Sequence, residues 1–343
     1  VGVKQIPIQN LYYLLCYAWN HLEEGALVDV SRVESTELVD LFATILVKGL
    51  DHISRRGLKR GYAPHEDEIR GVRGRIDVLS TERRLLLKHG RVACGFDELT
   101  TDILANQIIK TTLKILSTDP RIHPANRLAV LAYSRSLRMV ADKAVTSQSF
   151  RRIQLDGADR FYRFLLGVCE VVHGSWLPEE TKGHSRFRDF LRDEKKMALV
   201  FQHFVFNFIR IECPHLKVFR ENIIWSAESE LDDALSLLPR MQTDISIVVG
   251  GRRVIIEAKY YRDTLSEYYG AKSIRSEHLY QLMSYLLNAR RRGDDVSGIL
   301  IYPEVDESLN LSYSILGIPV RIRTLNLAQR WEMIHNELKQ LLV

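Results

Sequence analysis

The stretch Thr243-Asp244-Ile-Ser-Ile-Val-Val-Gly-Gly-Arg-Arg-Val-Ile-Ile-Glu257-Ala-Lys259 decides the fold of the second half of this 343-residue chain. It reads as two short strands around Gly250-Gly251, because a Gly-Gly pair between β-branched runs marks a two-residue hairpin turn. With those glycines as the turn, Val249 faces Arg252, and Asp244 falls opposite Glu257. Period-2 alternation then puts Asp244, Ser246, Ile255, Glu257 and Lys259 on one face. Ile245, Ile247, Val254, Ile256 and Ala258 take the other face, which is expected to meet the core.

Directly opposed cross-strand residues have Cβ atoms about 4.5–5.5 Å apart. Two carboxylates held that close repel unless a proton or a cation lies between them. A hard divalent cation with oxygen ligands, such as Mg²⁺, suits the pair. Lys259 emerges on the same face, where its ammonium can orient a water or stabilise developing phosphate charge. Aspartate followed by Glu-x-Lys on the next strand resembles the PD-(D/E)xK pattern of metal-dependent phosphodiesterases. Taken alone the pattern is short, and two readings stand: a nuclease site, or an edge hairpin with solvated charges.

The composition is that of a globular protein with enough apolar residues to build cores, and the net charge of +5 permits nucleic-acid contact without demanding it. The four cysteines, Cys16, Cys94, Cys169 and Cys213, show no CxxC or zinc spacing, so reduced thiols in a cytoplasmic protein are expected. No apolar run approaches the roughly 20 residues of a membrane span, and no secretory leader is expected. GxxxxGK[ST] is absent, so the chain is not itself a P-loop NTPase.

In chain order, Ile8–Trp19 and Thr36–His52 read as amphipathic helices, the first capped by Asn10. From Tyr62 the character changes to strands and turns: Glu66–Asp77 and Arg84–Cys94 are strand–turn–strand candidates. Arg70, Arg73 and Arg75 surround two glycines, a basic loop able to grip phosphates or an acidic partner, or simply a solvated hairpin. Asp97–Leu116 reads as N-terminal acids followed by a helix, capped by Asp102 or Thr101, the early acids favouring the positive end of its dipole. Pro178–Gly183 is the linker candidate. Asp193–Ile211 is a long helix, and Glu194 near its start is a further candidate for the metal, or else a capping glutamate. Ser276–Leu287 is another helix. Gln281 and Tyr285, four residues apart, share one face, and both can order the site or bind a nucleotide backbone. Strands over 298–303 and 318–325 and a helix over 327–342 complete a mixed sheet flanked by helices.

Ile6-Pro-Ile-Gln-Asn-Leu-Tyr-Tyr-Leu-Leu-Cys-Tyr-Ala-Trp19, Gly71-Val-Arg-Gly-Arg-Ile-Asp77 and Leu104-Ala-Asn-Gln-Ile-Ile-Lys110 resemble the McrC family of modification-dependent restriction systems. So do Leu238-Pro-Arg-Met-Gln-Thr-Asp244, Glu257-Ala-Lys-Tyr-Tyr261, Leu279-Tyr-Gln-Leu-Met-Ser-Tyr285 and Leu300-Ile-Tyr-Pro303. One departure is that some members carry Asp-Ala-Lys where this chain has Glu257-Ala-Lys259. The resemblance implies a nuclease subunit that works with an McrB-like AAA+ GTPase hexamer, whose own N-terminal domain reads methylcytosine in double-stranded DNA. It implies that the N-terminal module docks into the hexamer's pore and stimulates GTP hydrolysis, with Arg70, Arg73 and Arg75 as candidates for that role.

The expected architecture is therefore an α+β partner-docking module over 1–182, followed by an α/β PD-(D/E)xK restriction-endonuclease-like domain over 183–343. Asp244, Glu257 and Lys259 are the expected catalytic residues. Asp244 and Glu257 are the Mg²⁺ ligands, and Gln281, Tyr285 and Glu194 are supporting residues. GTP is expected to be used by the partner, and no membrane is involved. The alternatives are a free-standing RecB-like or resolvase-like nuclease, and a non-catalytic regulatory adaptor of an AAA+ ring.

Overall fold

The computed structural model describes residues 6–26, 37–178, 185–187, 193–229, 234–261, 265–268, 271–291, 293–305 and 307–341. The chain divides into two compact units. One comprises residues 34–188; the other is discontinuous, joining 1–33 to 189–343.

The unit over 34–188 combines a helical core with a small sheet. Its elements are α3 (Leu38–Arg56), β1 (Gly61–Ile69), β2 (Arg75–Ile76), α4 (Val78–Arg83), β3 (Val92–Thr100), α5 (Leu104–Ser117), α6 (Pro124–Ser136), α7 (Ser147–Arg151), α8 (Arg160–Ser175), β4 (Trp176–Pro178) and β5 (Ser185–Phe187). Helices α3, α5, α6 and α8 pack together through fully buried side chains such as Leu41, Ile108, Val130 and Leu165. The sheet is antiparallel in the order β1-β3-β2. Arg84–Cys94 departs from the expected strand–turn–strand: residues 86–89 form a 3-10 turn, and β3 begins only at Val92. The acids Asp97 and Glu98 that precede this helix lie on β3. Asp102 does not cap α5. Its carboxylate accepts hydrogen bonds from Gln107 and the Ala141 N–H, and Ile103 occupies the cap position. A polar run before a helix looks alike whether it is strand or cap, and the pairing of β3 with β1 decides it here.

The other unit contains α1 (Ile8–Ala18) and α2 (Leu22–Ala26) and resumes at α9 (Glu194–Glu212). Then follow β6 (Val218–Phe219), β7 (Asn222–Ile223), β8 (Met241–Gln242), β9 (Ile245–Val249), β10 (Arg252–Ala258), β11 (Leu265–Tyr268), β12 (Ala271–Ile274), α10 (Ser276–Arg291), β13 (Val296–Pro303), β14 (Asn310–Ile315), β15 (Ile318–Leu325) and α11 (Trp331–Gln340). Six of these strands form one mixed sheet in the order β14-β15-β13-β10-β9-β6. Strand β13 runs parallel to both β10 and β15, and α10 connects β10 to β13. Parallel strands joined through a helix are buried on both faces. Ile255 and Ser246, on the carboxylate side, are therefore as fully covered as Ile245 and Ile247 on the other. The expectation that only one face meets a core is corrected accordingly.

The boundary expected near residue 182 falls at residues 179–184, outside the described residues. The division itself differs from the expected one, because α1 belongs with the sheet-bearing unit. Asn10 does not cap α1. It sits inside the helix, and its side-chain N–H groups donate to the carbonyls of Leu327 (2.9 Å) and Gln329 (2.7 Å). Asn207 of α9 donates to the Tyr17 and Ala18 carbonyls at the C-terminal end of α1 (2.8 and 3.2 Å). The Tyr17 hydroxyl donates to Glu212 (2.6 Å), and the other Glu212 oxygen meets His335 and Lys339 of α11. Tyr13 stacks on Trp331 with ring centroids 4.7 Å apart. Apolar periodicity indicates that α1 is buried but is silent about its partner.

Replacing Asn207 by Ala removes both of its hydrogen bonds to the end of α1, a loss of about 1–3 kcal/mol, while the Tyr17 carbonyl keeps the Asn20 N–H. Chemical denaturation is expected to show that loss. Deleting residues 1–26 is expected to abolish folding of the unit over 189–343, measured by loss of its near-ultraviolet circular dichroism.

Candidate active site

The turn geometry bears out the hairpin. Gly250 and Gly251 both have positive φ (57° and 85°), as a type I′ turn requires. The ladder runs from Arg252↔Val249 to Ile256↔Ile245. One step further, the Asp244 N–H donates to Glu257 Oε1 (3.3 Å), and Asp244 Oδ2 accepts the Ala258 N–H (3.1 Å). The two carboxylates thus sit side by side at the end of the pair. Strand β10 lies inside the sheet, so the reading of an edge hairpin with solvated charges is excluded.

Lys259 Nζ lies 2.9 Å from Glu257 Oε2 and 3.9 Å from Asp244 Oδ2. It donates to Gln281 Oε1 at 2.9 Å. The Gln281 amide donates to the Tyr285 hydroxyl (2.9 Å), and that hydroxyl donates to the Gln242 carbonyl (3.2 Å). The i, i+4 pair on α10 is therefore an orienting relay for the lysine. Its placement depends on Gly298 of β13. A Cβ there would lie 2.7 Å from Leu286 and 2.9 Å from Leu282, so only glycine lets α10 approach this closely.

Burial and the neighbouring Asp244 push the Glu257 carboxyl up to about 7, with Lys259 working against them. Burial alone would pull Lys259 down. The Glu257 and Asp244 carboxylates outweigh it and hold the ammonium above its ordinary range. Glu257 has no solvent exposure, and its Oε2, though ion-paired with Lys259, accepts no well-aligned hydrogen bond. A buried carboxylate oxygen with spare acceptor capacity, beside a second carboxylate, fits a hard divalent cation. No group of three or more His, Cys, Asp or Glu able to hold a metal occurs among the described residues, so the remaining ligands of such a cation would come from backbone, water or substrate.

Glu194 is not brought to this pair. It is exposed in the first turn of α9, following the Asp193 cap. The α9 residue that reaches Asp244 is Gln202, whose amide donates to Oδ1 at 2.5 Å. Eight residues, about 12 Å of helix, separate the two. Arg220 is a second neighbour absent from the sequence expectation, its Nε donating to the Asp244 carbonyl (3.2 Å). A lone glutamine between Phe201 and Phe204 was the available signal for Gln202; nothing near Arg220 in sequence marked it.

In the other unit, Arg70, Arg73 and Arg75 are exposed around the β1–β2 turn. Gly71 and Gly74 have positive φ, and a Cβ on Gly74 would strike the Gly95 carbonyl at 2.5 Å. Arg73 lies over the Phe96 ring, 4.0 Å from its centroid. Arg75 neighbours Asp77, whose carboxyl is held below its ordinary range by hydrogen bonds from Ser80 and by the charge of Arg75.

A family model for McrBC 5-methylcytosine restriction system components matches residues 5–303. The chain is 38% identical over 334 residues to the type IV methyl-directed restriction enzyme EcoKMcrBC of Escherichia coli (strain K12), covering 97% of this chain and 96% of that one. Its fold is similar to a chain of the tetradecameric assembly of Thermococcus gammatolerans McrB AAA+ hexamers with bound McrC. That likeness has a TM-score of 0.60 at 15% identity, over 98% of this chain and 75% of that one.

Replacing Gly298 by Ala is expected to overpack the α10–β13 contact by about 1–3 kcal/mol. The thermal midpoint should fall, and the Lys259–Gln281 contact should lengthen in a crystal structure of the variant.

Proposed function

The chain belongs to the McrBC family of 5-methylcytosine restriction-system components, and we propose that it is the Mg²⁺-dependent DNA endonuclease subunit of such a system, of the PD-(D/E)xK class. The observation that carries this reading is the convergence of Asp244, Glu257 and Lys259 at the end of the β9–β10 pair. Asp244 and Glu257 would hold Mg²⁺, with the Ala258 carbonyl as a further donor. When bound, the ion supplies charge to polarise the scissile phosphate and lowers the pKa of a water. Lys259, aimed by Gln281 and Tyr285, orients the attacking water or steadies charge on the phosphate. Gln202 holds Asp244 in place. Base reading need not reside here, since phosphate contacts position and base contacts specify.

The partner would be an McrB-like AAA+ GTPase hexamer, and the reaction would take place on cytoplasmic DNA. None of the described helices is long and apolar enough to cross a membrane. The unit over 34–188 is the candidate docking module. Tyr62 of β1, Val72 of the β1–β2 turn, Val78 and Leu79 of α4 and Leu87 of the following 3-10 turn are each more than half accessible. Exposed apolar side chains together with exposed arginines support a protein partner there.

Cleavage of methylated and unmethylated duplex, with and without the neighbouring GTPase and GTP, tests the whole reading. Wild type is expected to cut only the methylated duplex, and only with both additions. Asp244→Ala should lose both Mg²⁺ binding by calorimetry and cleavage. Lys259→Met should keep Mg²⁺ binding and lose cleavage by roughly 10²–10⁴-fold. Cutting by this chain alone would favour the free-standing nuclease; restriction intact in Asp244→Ala would favour the adaptor. Arg73→Ala and Arg75→Ala are each expected to lower stimulation of the partner's GTP hydrolysis. Unchanged stimulation in both would remove this loop from that role.

A further inference from the structure

Beside the carboxylate pair, two guanidinium groups meet at one aromatic ring. Arg220 follows β6, and its Cζ lies 4.9 Å from the Phe206 ring centroid; the Cζ of Arg210 lies 5.9 Å from the same centroid. Both arginines are exposed, and Phe206 is half-buried on α9. Neither arginine has a carboxylate partner among the described residues. Two cations drawn to one ring without a counter-ion repel each other, and an anion held between or beside them would relieve that repulsion.

Position gives the arrangement its meaning. Gln202, Phe206 and Arg210 are spaced by four residues, so they lie along one face of α9. The first of them donates to the Asp244 carboxylate. The stripe therefore starts at the carboxylate pair and runs outward for about 12 Å of helix. That is the axial rise of roughly three nucleotide steps on one DNA strand. Arg220 is tethered through Nε to the Asp244 carbonyl, which leaves its terminal N–H donors without a partner among the described residues. A planar fork with free donors, fixed by a ring and one backbone bond, is suited to bidentate binding of a phosphodiester. Burial, and then Arg220 itself, push the pKa of His203 down, with Asp244 working against them.

We propose that Arg220 and Arg210, backed by Phe206, form a phosphodiester-binding shelf that seats one DNA strand against the Asp244–Glu257 pair. The proposal rests on the nuclease reading above and adds the residues that align its substrate. Arg220 grips the phosphate nearest the carboxylates, and Arg210 grips one further along the same strand. A residue that merely secured the end of β6 would need no second arginine on the same ring.

The test is cleavage of a methylated duplex by the full assembly, with the partner GTPase, GTP and Mg²⁺, over a series of salt concentrations. Among the described residues the Arg210 guanidinium has Phe206 as its partner and no hydrogen bond or ion pair, so Arg210→Ala is the cleaner variant. It should raise KM about tenfold with kcat unchanged, because binding lost equally from ground and transition states appears in KM. In each of Arg210→Ala and Arg220→Ala, the slope of log(kcat/KM) against log[salt] should become shallower by about 0.9, the value of one phosphate contact. The double variant should lose about twice that. Arg220→Lys keeps the charge without the fork, so it should retain the wild-type slope at a lower rate. Mg²⁺ binding by calorimetry should be unchanged in Arg210→Ala. Reduced rates with an unchanged salt slope in both single variants and the double would mean a structural role and overturn the proposal alone. A wild-type assembly that does not cut would overturn the nuclease reading, and the shelf with it.

Discussion

Two carboxylates that cannot both be charged and unaccompanied set the terms for the sheet-bearing unit. Asp244 and Glu257 end adjacent strands, and Glu257 is wholly buried. Burial and repulsion both drive that group toward its protonated form, and Lys259 offsets only part of the effect. A protein selected for stability alone would replace one of the pair by an apolar residue, since buried ionic groups seldom repay their desolvation. This one surrounds them with donors instead: the Asp244 N–H, the Ala258 N–H, the Gln202 amide and the Lys259 ammonium. The first three each fix one oxygen, and Glu257 Oε2, ion-paired with Lys259 but accepting no well-aligned hydrogen bond, keeps capacity to spare. The strain is local, and it points to a positive ion.

The surrounding fold serves to hold that arrangement without slack. Helix α10 could not bring Gln281 to Lys259 unless it lay close on β13, and Gly298 makes that approach possible. Helix α9 brings Gln202 to the other carboxylate. The Asp244 side chain is thereby fixed from α9, and Lys259 from α10. Neither helix alone would define the site.

Local chemistry was legible in the sequence, and long-range partnership was not. The Gly250-Gly251 turn, the register that opposes Asp244 and Glu257, and the pairing of Gln281 with Tyr285 all follow from periods of two and four residues. The two-sided burial of β10 was missed because hairpin alternation says nothing of the parallel strand β13 that arrives later. Glu194 was favoured for its carboxylate, while Gln202, an amide, does the bonding; residue type outweighed helix position in that reading. The role of Asn10 was misjudged for a related reason. A side chain at a helix start looks like a cap until its partners, more than 300 residues away, are known.

The discontinuity of the sheet-bearing unit also governs when that unit can be completed during synthesis. The first helix emerges early in synthesis, but its partners Asn207, Glu212, Leu327 and Trp331 come from α9 and from the last stretch of the chain. Contacts of such sequence separation form late and slowly. A truncated or unfinished chain would contain the Asp–Glu–Lys motif yet lack the packing that holds it in register. The order of elements along the polypeptide thus ties the packing around the Asp244–Glu257 pair to a chain that is nearly complete.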